Sequence, residues 1–152
     1  MSAIRILKAN VKDSQEIRRL ETRVWKEEVT NKYDIAMFIR FGYVFIAKDA
    51  NKIIGGICAY RTNKGKIYVC DWFVDKEYRN KKVGMRLYQK LIRVADADIV
   101  SFLDPENIPT LKAHMKLGFK IARKVKNAYG NAKGLEDGYR LFAILKNNRV
   151  KP

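Results

Sequence analysis

Histidine and cysteine are almost missing from this chain. One His, His114, and two Cys, Cys58 and Cys70, are too few for a disulfide framework and lack metal-ligand spacing, so no metal is expected. No apolar run approaches the ~20 residues of a membrane-spanning helix. The start MSAIRILKAN has no charged-then-apolar secretory pattern, so no membrane association and a cytoplasmic location are expected. Proline is scarce too, with three residues in a chain that is 47% hydrophobic, a composition that excludes a disordered tail. At 152 residues the chain can bury one real core and is too short for two ordinary domains. Residues 1–148 read as one domain and 149–152 as a short tail.

Acidic residues are the other shortage. Against 32 Lys and Arg stand 16 Asp and Glu, a formal charge of +16. Such a balance favours polyanions, whether nucleic acid, a phosphorylated cofactor or an acidic membrane surface, without choosing among them. Lysine-rich solvated faces also keep a protein soluble. The two cysteines lie at equal distances from the turn TNKG. A symmetric hairpin therefore places them opposite one another, as packing residues rather than a redox pair in a reducing compartment.

What is present reads as ordered elements. AIRILKA alternates apolar and polar residues and predicts a first strand. Asp13 reads as an N-cap, with Glu16 completing a capping-box start for SQEIRRLETRVWKEE, whose buried stripe is Ile17, Leu20, Val24 and Trp25. DIAMFIRFG is a second short helix ended by Gly42. YVFIAKD, KIIGGICAYRT and KIYVCDWFVD follow as strands, and the short gaps between them predict antiparallel hairpins. Next comes a helix with Leu87, Tyr88, Leu91, Ile92 and Ala95 on one side. DIVSFLD is a strand and ENIPTLKAHMKLG a helix ended by Gly118; FKIARKVKNA and YRLFAILK close the chain around the polar loop YGNAKGLEDG, the last strand being a candidate homodimer edge. This order predicts an α/β fold with a mixed, mostly antiparallel central sheet of about seven strands flanked by about four helices.

One junction carries chemistry. In FVDKEYRNKKVGMRLYQKLIRVAD a strand passes through a basic turn into an amphipathic helix, with Gly84 at the helix mouth. A helix N-terminus exposes unpaired N–H groups and the positive end of its dipole, so such a junction suits a phosphate. Gly84 removes a side chain where an anion touches backbone, and Arg79, Lys81, Lys82 and Arg86 supply charge. An ordinary turn before a solvated basic helix is the plainer alternative.

WFVDKEYRNKKVGMRLYQKL resembles the signature of the GNAT superfamily of acyl-CoA-dependent N-acyltransferases. Val74 matches its strand-end valine, Arg79 its opening Arg or Gln and Gly84 its last glycine, while Lys82 occupies the place of its first glycine. A side chain there narrows the approach of a phosphate unless Lys82 keeps a helical φ and points outward. ENIPTLKAHMKLGFK is similar to a second family pattern, with Asn107, Gly118 and Phe119 in place and His114 where the family has tyrosine.

The resemblance implies a GNAT-like fold and acetyl-CoA as co-substrate, with transfer to a small-molecule or peptide amine by direct attack in a ternary complex. It assigns the pyrophosphate to Arg79, Asn80, Lys81, Lys82, Val83, Gly84 and Met85, the pantetheine arm to the strand end Trp72, Phe73 and Val74, and a further contact to Asn107. It also implies a β-bulge near Cys70 to Trp72 that aims an N–H at the thioester carbonyl. An ammonium acceptor must lose a proton before attack, and Asp71 is the first candidate base; a strand-edge aspartate is the alternative. His114 stands where the family's tyrosine protonates the thiolate, and its imidazole suits an acid, a base or packing on Leu111 and Phe119. Tyr78, Tyr88 or Tyr129 are other candidate acids. Glu27 and Glu28, in WKEEVTNKYD, are the candidate acceptor contacts, with Asp34, Glu136 and Asp137 as further acidic residues.

Two other readings keep the fold and drop the reaction. One is a basic nucleic-acid- or ribosome-associated protein with Lys81, Lys82, Arg86, Lys120, Arg123, Lys124 and Lys126 as phosphate contacts. The other is an acyl-CoA sensor without transferase activity.

Overall fold

The computed structural model describes residues 3–130 and 138–147. They form seven strands and four α-helices in two compact units, Met1–Ala95 and Asp96–Pro152.

The first unit contains β1 (Ile4–Lys8), α1 (Ser14–Trp25), α2 (Lys32–Phe41), β2 (Tyr43–Asp49), β3 (Lys52–Arg61), β4 (Ile67–Val74) and α3 (Val83–Val94). Its strands lie in the order β1-β2-β3-β4, each antiparallel to its neighbour. β3 is buried from Ile53 through Ala59, the continuous burial expected of a strand covered on both faces. Ile17 and Leu20 of α1 and Ile35 and Ile39 of α2 pack with Val44, Ile46, Cys58 and Phe73 in one core cluster. Opposite faces of β3 are relieved by paired glycines: a Cβ on Gly56 would meet the Phe73 ring at 2.7 Å, and one on Gly55 would meet Leu87 of α3 at 3.2 Å.

The start of α1 differs from the sequence reading. Asp13 makes no side-chain cap bond to α1. Its carboxylate instead accepts from Asn10 N (2.8 Å), and Asn10 caps a short 3-10 turn, Val11–Asp13. Two acceptors three residues apart competed for the capping role, and the one farther upstream took it. Trp25 also departs from its expected burial, at 45% exposed; the fully buried partner of Ile17 and Leu20 is Glu21.

The second unit contains β5 (Ile99–Leu103), α4 (Ile108–Leu117), β6 (Lys120–Lys126) and β7 (Tyr139–Leu145). β7 runs between β5 and β6, antiparallel to both. YRLFAILK is therefore an interior strand rather than a dimer edge. Gly118 ends α4 with φ 99°, the left-handed cap that the sequence predicts.

Candidate functional site

The hairpin of β3 and β4 is not symmetric. Cys58 pairs with Asp71 and Ala59 with Val69, which leaves Cys70 as the extra residue of a β-bulge. This displaces the two cysteines from the opposed positions expected for them; Cys70 donates from Sγ to the Cys58 carbonyl at 3.4 Å, and both are free thiols. Burial pushes the Cys70 thiol up to about 12 and raises Cys58 as well, so neither is a thiolate at neutral pH. A bulge leaves one residue out of the ladder and re-aims its neighbours. Here it lies beside Asp71 on one side of the strand and ahead of Trp72 to Val74.

Beyond β4 the chain makes a 3-10 turn, Lys76–Tyr78, capped by the Asp75 side chain, and enters α3. Asn80 and Lys82 both take left-handed conformations, φ 66° and 63°. Lys82 is the N-cap of α3 but supplies no capping bond, and the first turn of α3 has no acidic residue. Helices α2 and α4 begin differently, with Asn31 and Asn107 side chains accepting from their first amides. The first amides of α3 are thus left for another acceptor, and left-handed residues in the turn before them favour an anion-binding concavity. Arg79, Asn80, Lys81 and Lys82 are exposed around it, with the Lys81 ammonium 5.3 Å from the Tyr78 ring centre. Arg86 points away, donating to the Ile4 carbonyl at 3.0 Å.

Lys82 does not keep the helical φ that its side chain would prefer. The family's glycine at this place has a backbone reason: the turn demands a left-handed residue, and lysine holds it at a cost of roughly 1 kcal/mol. Lys82→Gly is expected to raise the urea midpoint slightly, because relief of that cost exceeds the extra chain entropy of glycine. A lowered midpoint would show that the lysine side chain contributes more than its conformation costs.

Gly84 has a packing role. Its Cβ would stand 3.3 Å from Trp72 Cζ2 and 3.4 Å from Val74 Cγ2. The Trp72 indole N–H donates to the Gly84 carbonyl at 3.0 Å, and the ring meets Tyr88 edge-on at 4.9 Å. Glycine lets the start of α3 sit directly on the end of β4, which fixes the amides of the turn against the strand.

On the other face of β4, Asp71 is 7% exposed and lies under α1. Its Oδ1 accepts from the Trp25 indole N–H at 2.9 Å. Glu21, fully buried, accepts at Oε1 from the Thr30 hydroxyl (2.6 Å) and the Thr30 amide (3.2 Å). The second oxygens, Glu21 Oε2 and Asp71 Oδ2, are both buried without a donor, and Glu21 stands one helical turn before Trp25, whose indole reaches Asp71. Burial first, then the bond and charge of Glu21, push Asp71 up to about 9. Asp71 therefore holds a proton at neutral pH and is not poised to take one. Sequence reasoning missed Glu21, Trp25 and Thr30 as a set. The signal was present: Glu21 falls on the apolar stripe, four residues after Ile17 and three before Val24.

Glu27 and Glu28 are exposed, and Glu28 pairs with Arg18 at 3.6 Å. Glu136 and Asp137 lie outside the described residues. In the second unit, Asn107 Oδ1 accepts from Thr110 N at 3.3 Å as the cap of α4. His114 is 3% exposed, its Nδ1 is 2.8 Å from the Thr110 carbonyl, and its ring meets Phe119 edge-on at 5.0 Å. That nitrogen is the donor, since a carbonyl only accepts. Burial lowers the imidazole below its usual range, so the ring is neutral at neutral pH. The basic residues Lys120, Arg123, Lys124 and Lys126 are exposed on β6. Among the described residues no three His, Cys, Asp or Glu are placed to hold a metal ion, and no helix is long and apolar enough to cross a membrane.

Known structures share the fold. The chain is similar in structure to a GNAT-family acetyltransferase from Bacillus cereus, with a TM-score of 0.81 at 18% identity over 97% of this chain and 100% of that one. It is also similar to the ribosomal-protein-S18-alanine N-acetyltransferase of Escherichia coli, with a TM-score of 0.79 at 16% identity over 95% and 94% of the two chains. Arabidopsis thaliana Naa50, solved with the bisubstrate analogue CoA-Ac-MVNAL, gives a TM-score of 0.77 at 18% identity over 94% and 98%. These likenesses show the mixed α/β GNAT fold. No curated protein matches the sequence closely enough to count as a relative. The sequence model of the Acetyltransferase (GNAT) family matches residues 14–119, a span that contains the bulged strand, the basic turn and α4. The chain belongs to the GNAT family of acetyltransferases.

Proposed function

We propose that this protein is an N-acetyltransferase, acting in the cytoplasm, that moves the acetyl group of acetyl-CoA to a primary amine by direct attack in a ternary complex. Residues 1–148 form its one catalytic domain in this reading. The observation that carries it is the start of α3: an uncapped helix N-terminus, entered through left-handed Asn80 and Lys82 and ringed by basic side chains. Amides there, with Arg79, Lys81 and Lys82, suit the pyrophosphate. The ends of Trp72, Phe73 and Val74 suit the pantetheine amides, in the manner of an added strand. A backbone N–H released by the Cys70 bulge suits the developing oxyanion of the thioester. Asn107, already the cap of α4, is the weakest of the proposed cofactor contacts.

The preferred acceptor is a peptide α-amine. Its ordinary pKa is about 7.7–8, against about 10.4 for lysine, so a sizeable neutral fraction exists near pH 7 without a strong base. That suits a site whose buried carboxyl, Asp71, already carries a proton, and the excess proton leaves to water. The Escherichia coli neighbour is named for an alanine of a ribosomal protein, and Naa50 carries a peptide-bearing analogue. The exposed acidic stretch with Glu27 and Glu28 is the proposed contact for the acceptor.

The test is thermal unfolding with acetyl-CoA, against ATP and heparin, at low and moderate salt. Ligand at about 100 times its Kd adds ~2.7 kcal/mol to the folded state. Stabilisation by acetyl-CoA that survives salt supports the reading; equal stabilisation by heparin that vanishes with salt replaces it with a polyanion-binding protein.

For His114 the burial and the Thr110 bond favour a packing role over proton donation. His114→Phe is expected to leave turnover within about threefold and acetyl-CoA affinity near wild type. A fall of about tenfold or more, at the lower end of what a general acid supplies, restores the ring as the thiolate's proton source.

A further inference from the structure

The pair under α1 joins three parts of the first unit. Glu21 Oε1 holds the Thr30 amide and hydroxyl, Asp71 Oδ1 holds the Trp25 indole, and the two remaining oxygens are buried without a donor. Two ionised carboxylates in that position would face each other across a dry gap, each lacking a hydrogen. One proton between them satisfies both: a carboxylic acid donates to a carboxylate, and such charge-assisted bonds are short and strong. Thr30 belongs to the stretch between α1 and α2, which includes Glu27 and Glu28 and is held a second time by Arg18 Nε on the Thr30 carbonyl at 3.0 Å. Asp71 is the residue after the bulge.

We propose that Glu21 and Asp71 share one proton, and that this carboxyl pair is the positioning element that fastens residues 26–31 to the bulged strand. The inference rests on the reading of that stretch as the acceptor contact, and it gives Glu21 and Asp71 a role apart from proton transfer to substrate. Loss of the shared proton leaves two facing carboxylates and weakens the hold of Glu21 on Thr30, so the stretch is kept by the Arg18 bond to the Thr30 carbonyl alone.

The pH dependence follows from the sign of the shift. A carboxyl that keeps its proton in the folded protein, while the unfolded chain gives it up near pH 4, lowers stability progressively as pH rises from about 4 to about 9. Titratable neighbours on the packed elements are Cys58 on β3 and Cys70 on β4, both raised, and Arg18 and Glu28 form the ion pair at the rim. Neither thiol ionises below about pH 9, and a comparison with Asp71→Asn removes their contribution along with that of His114.

Asparagine reproduces the protonated acid at every pH, its carbonyl accepting from Trp25 and its amide donating to Glu21. The experiment is amide hydrogen exchange of the peptide covering Thr30, with thermal midpoints, in wild type, Asp71→Asn and Glu21→Gln from pH 6 to pH 9.5. In wild type the exchange of this peptide, corrected for the intrinsic pH dependence, is expected to rise at least about tenfold across the upper end of that range. Asp71→Asn should keep it protected throughout, and its midpoint should fall less steeply with pH. Glu21→Gln, which removes the charged acceptor of the pair, should show no such step. Exchange in Asp71→Asn that opens with pH as it does in wild type overturns the proposal, as does wild-type exchange with no step. Acetyl-CoA stabilisation, measured in the same samples, reports separately on the acetyltransferase reading: its absence would remove that reading and leave the exchange result intact.

Discussion

Gly84→Glu is expected to weaken acetyl-CoA binding by at least about a hundredfold, seen as loss of the ligand-induced rise in melting temperature. Two effects add. A Cβ at this position already stands 3.3 to 3.4 Å from Trp72 and Val74, so the larger side chain forces the first turn of α3 off the end of β4 and breaks the Trp72 bond to the Gly84 carbonyl. The carboxylate then stands beside amides that suit a phosphate, where like charge repels. Gly84→Ala separates the two, since it adds the β-carbon without the charge and needs a shift of only a few tenths of an ångström. It should keep most of the affinity. Unfolding without ligand measures the packing part, at about 1–3 kcal/mol for glutamate. Acetyl-CoA affinity unchanged in Gly84→Glu would remove the start of α3 as the pyrophosphate site.

The same residue shows how much of the site was legible. Strand, basic turn, glycine and amphipathic helix were all readable, because hydrophobic period and helix-terminus chemistry are local. The reason for the glycine was not, because it depends on Trp72 folding back over it from twelve residues away. The same limit applies to the cap of α1. Asn10 and Asp13 are both good caps, and only the chain path between β1 and α1 decides that Asp13 serves the 3-10 turn. The bulge at Cys70 follows from the family resemblance and not from the spacing: counting residues from a turn gives register only while the ladder is regular, and one extra residue shifts every partner beyond it. With that shift Asp71, rather than Cys70, faces Cys58. Glu21 was legible from its position, since a glutamate on an apolar stripe asks for a partner; that the partner is Asp71 depends on how α1 crosses β4.

Removal of one carboxyl of that pair should be the most damaging single change in the first unit. Asp71→Leu leaves Glu21 fully buried, still bonded to Thr30 but with Oε2 facing a hydrocarbon; Glu21→Met does the same to Asp71. Breaking a buried charged pair from one side typically costs about 3–5 kcal/mol, a large part of a small domain's stability. The double variant is a different case. With both carboxyls gone no buried polar oxygen is stranded between them, and leucine and methionine add apolar volume beside Ile17, Leu20 and Phe73 of the core. Its stability is expected to lie within about 2 kcal/mol of wild type, although Thr30 and the Trp25 indole lose an acceptor. A double-mutant cycle by urea unfolding at pH 7 should therefore show strong coupling, the double variant being less destabilised than the sum of the singles by at least about 2 kcal/mol. Additive losses would mean that the two carboxyls stand independently, each satisfied by its own donor. The cycle also separates stability from positioning: the double variant folds but no longer holds Thr30 through Glu21, so amide exchange in residues 26–31 should be faster than in wild type at neutral pH and should show no step toward the alkaline end.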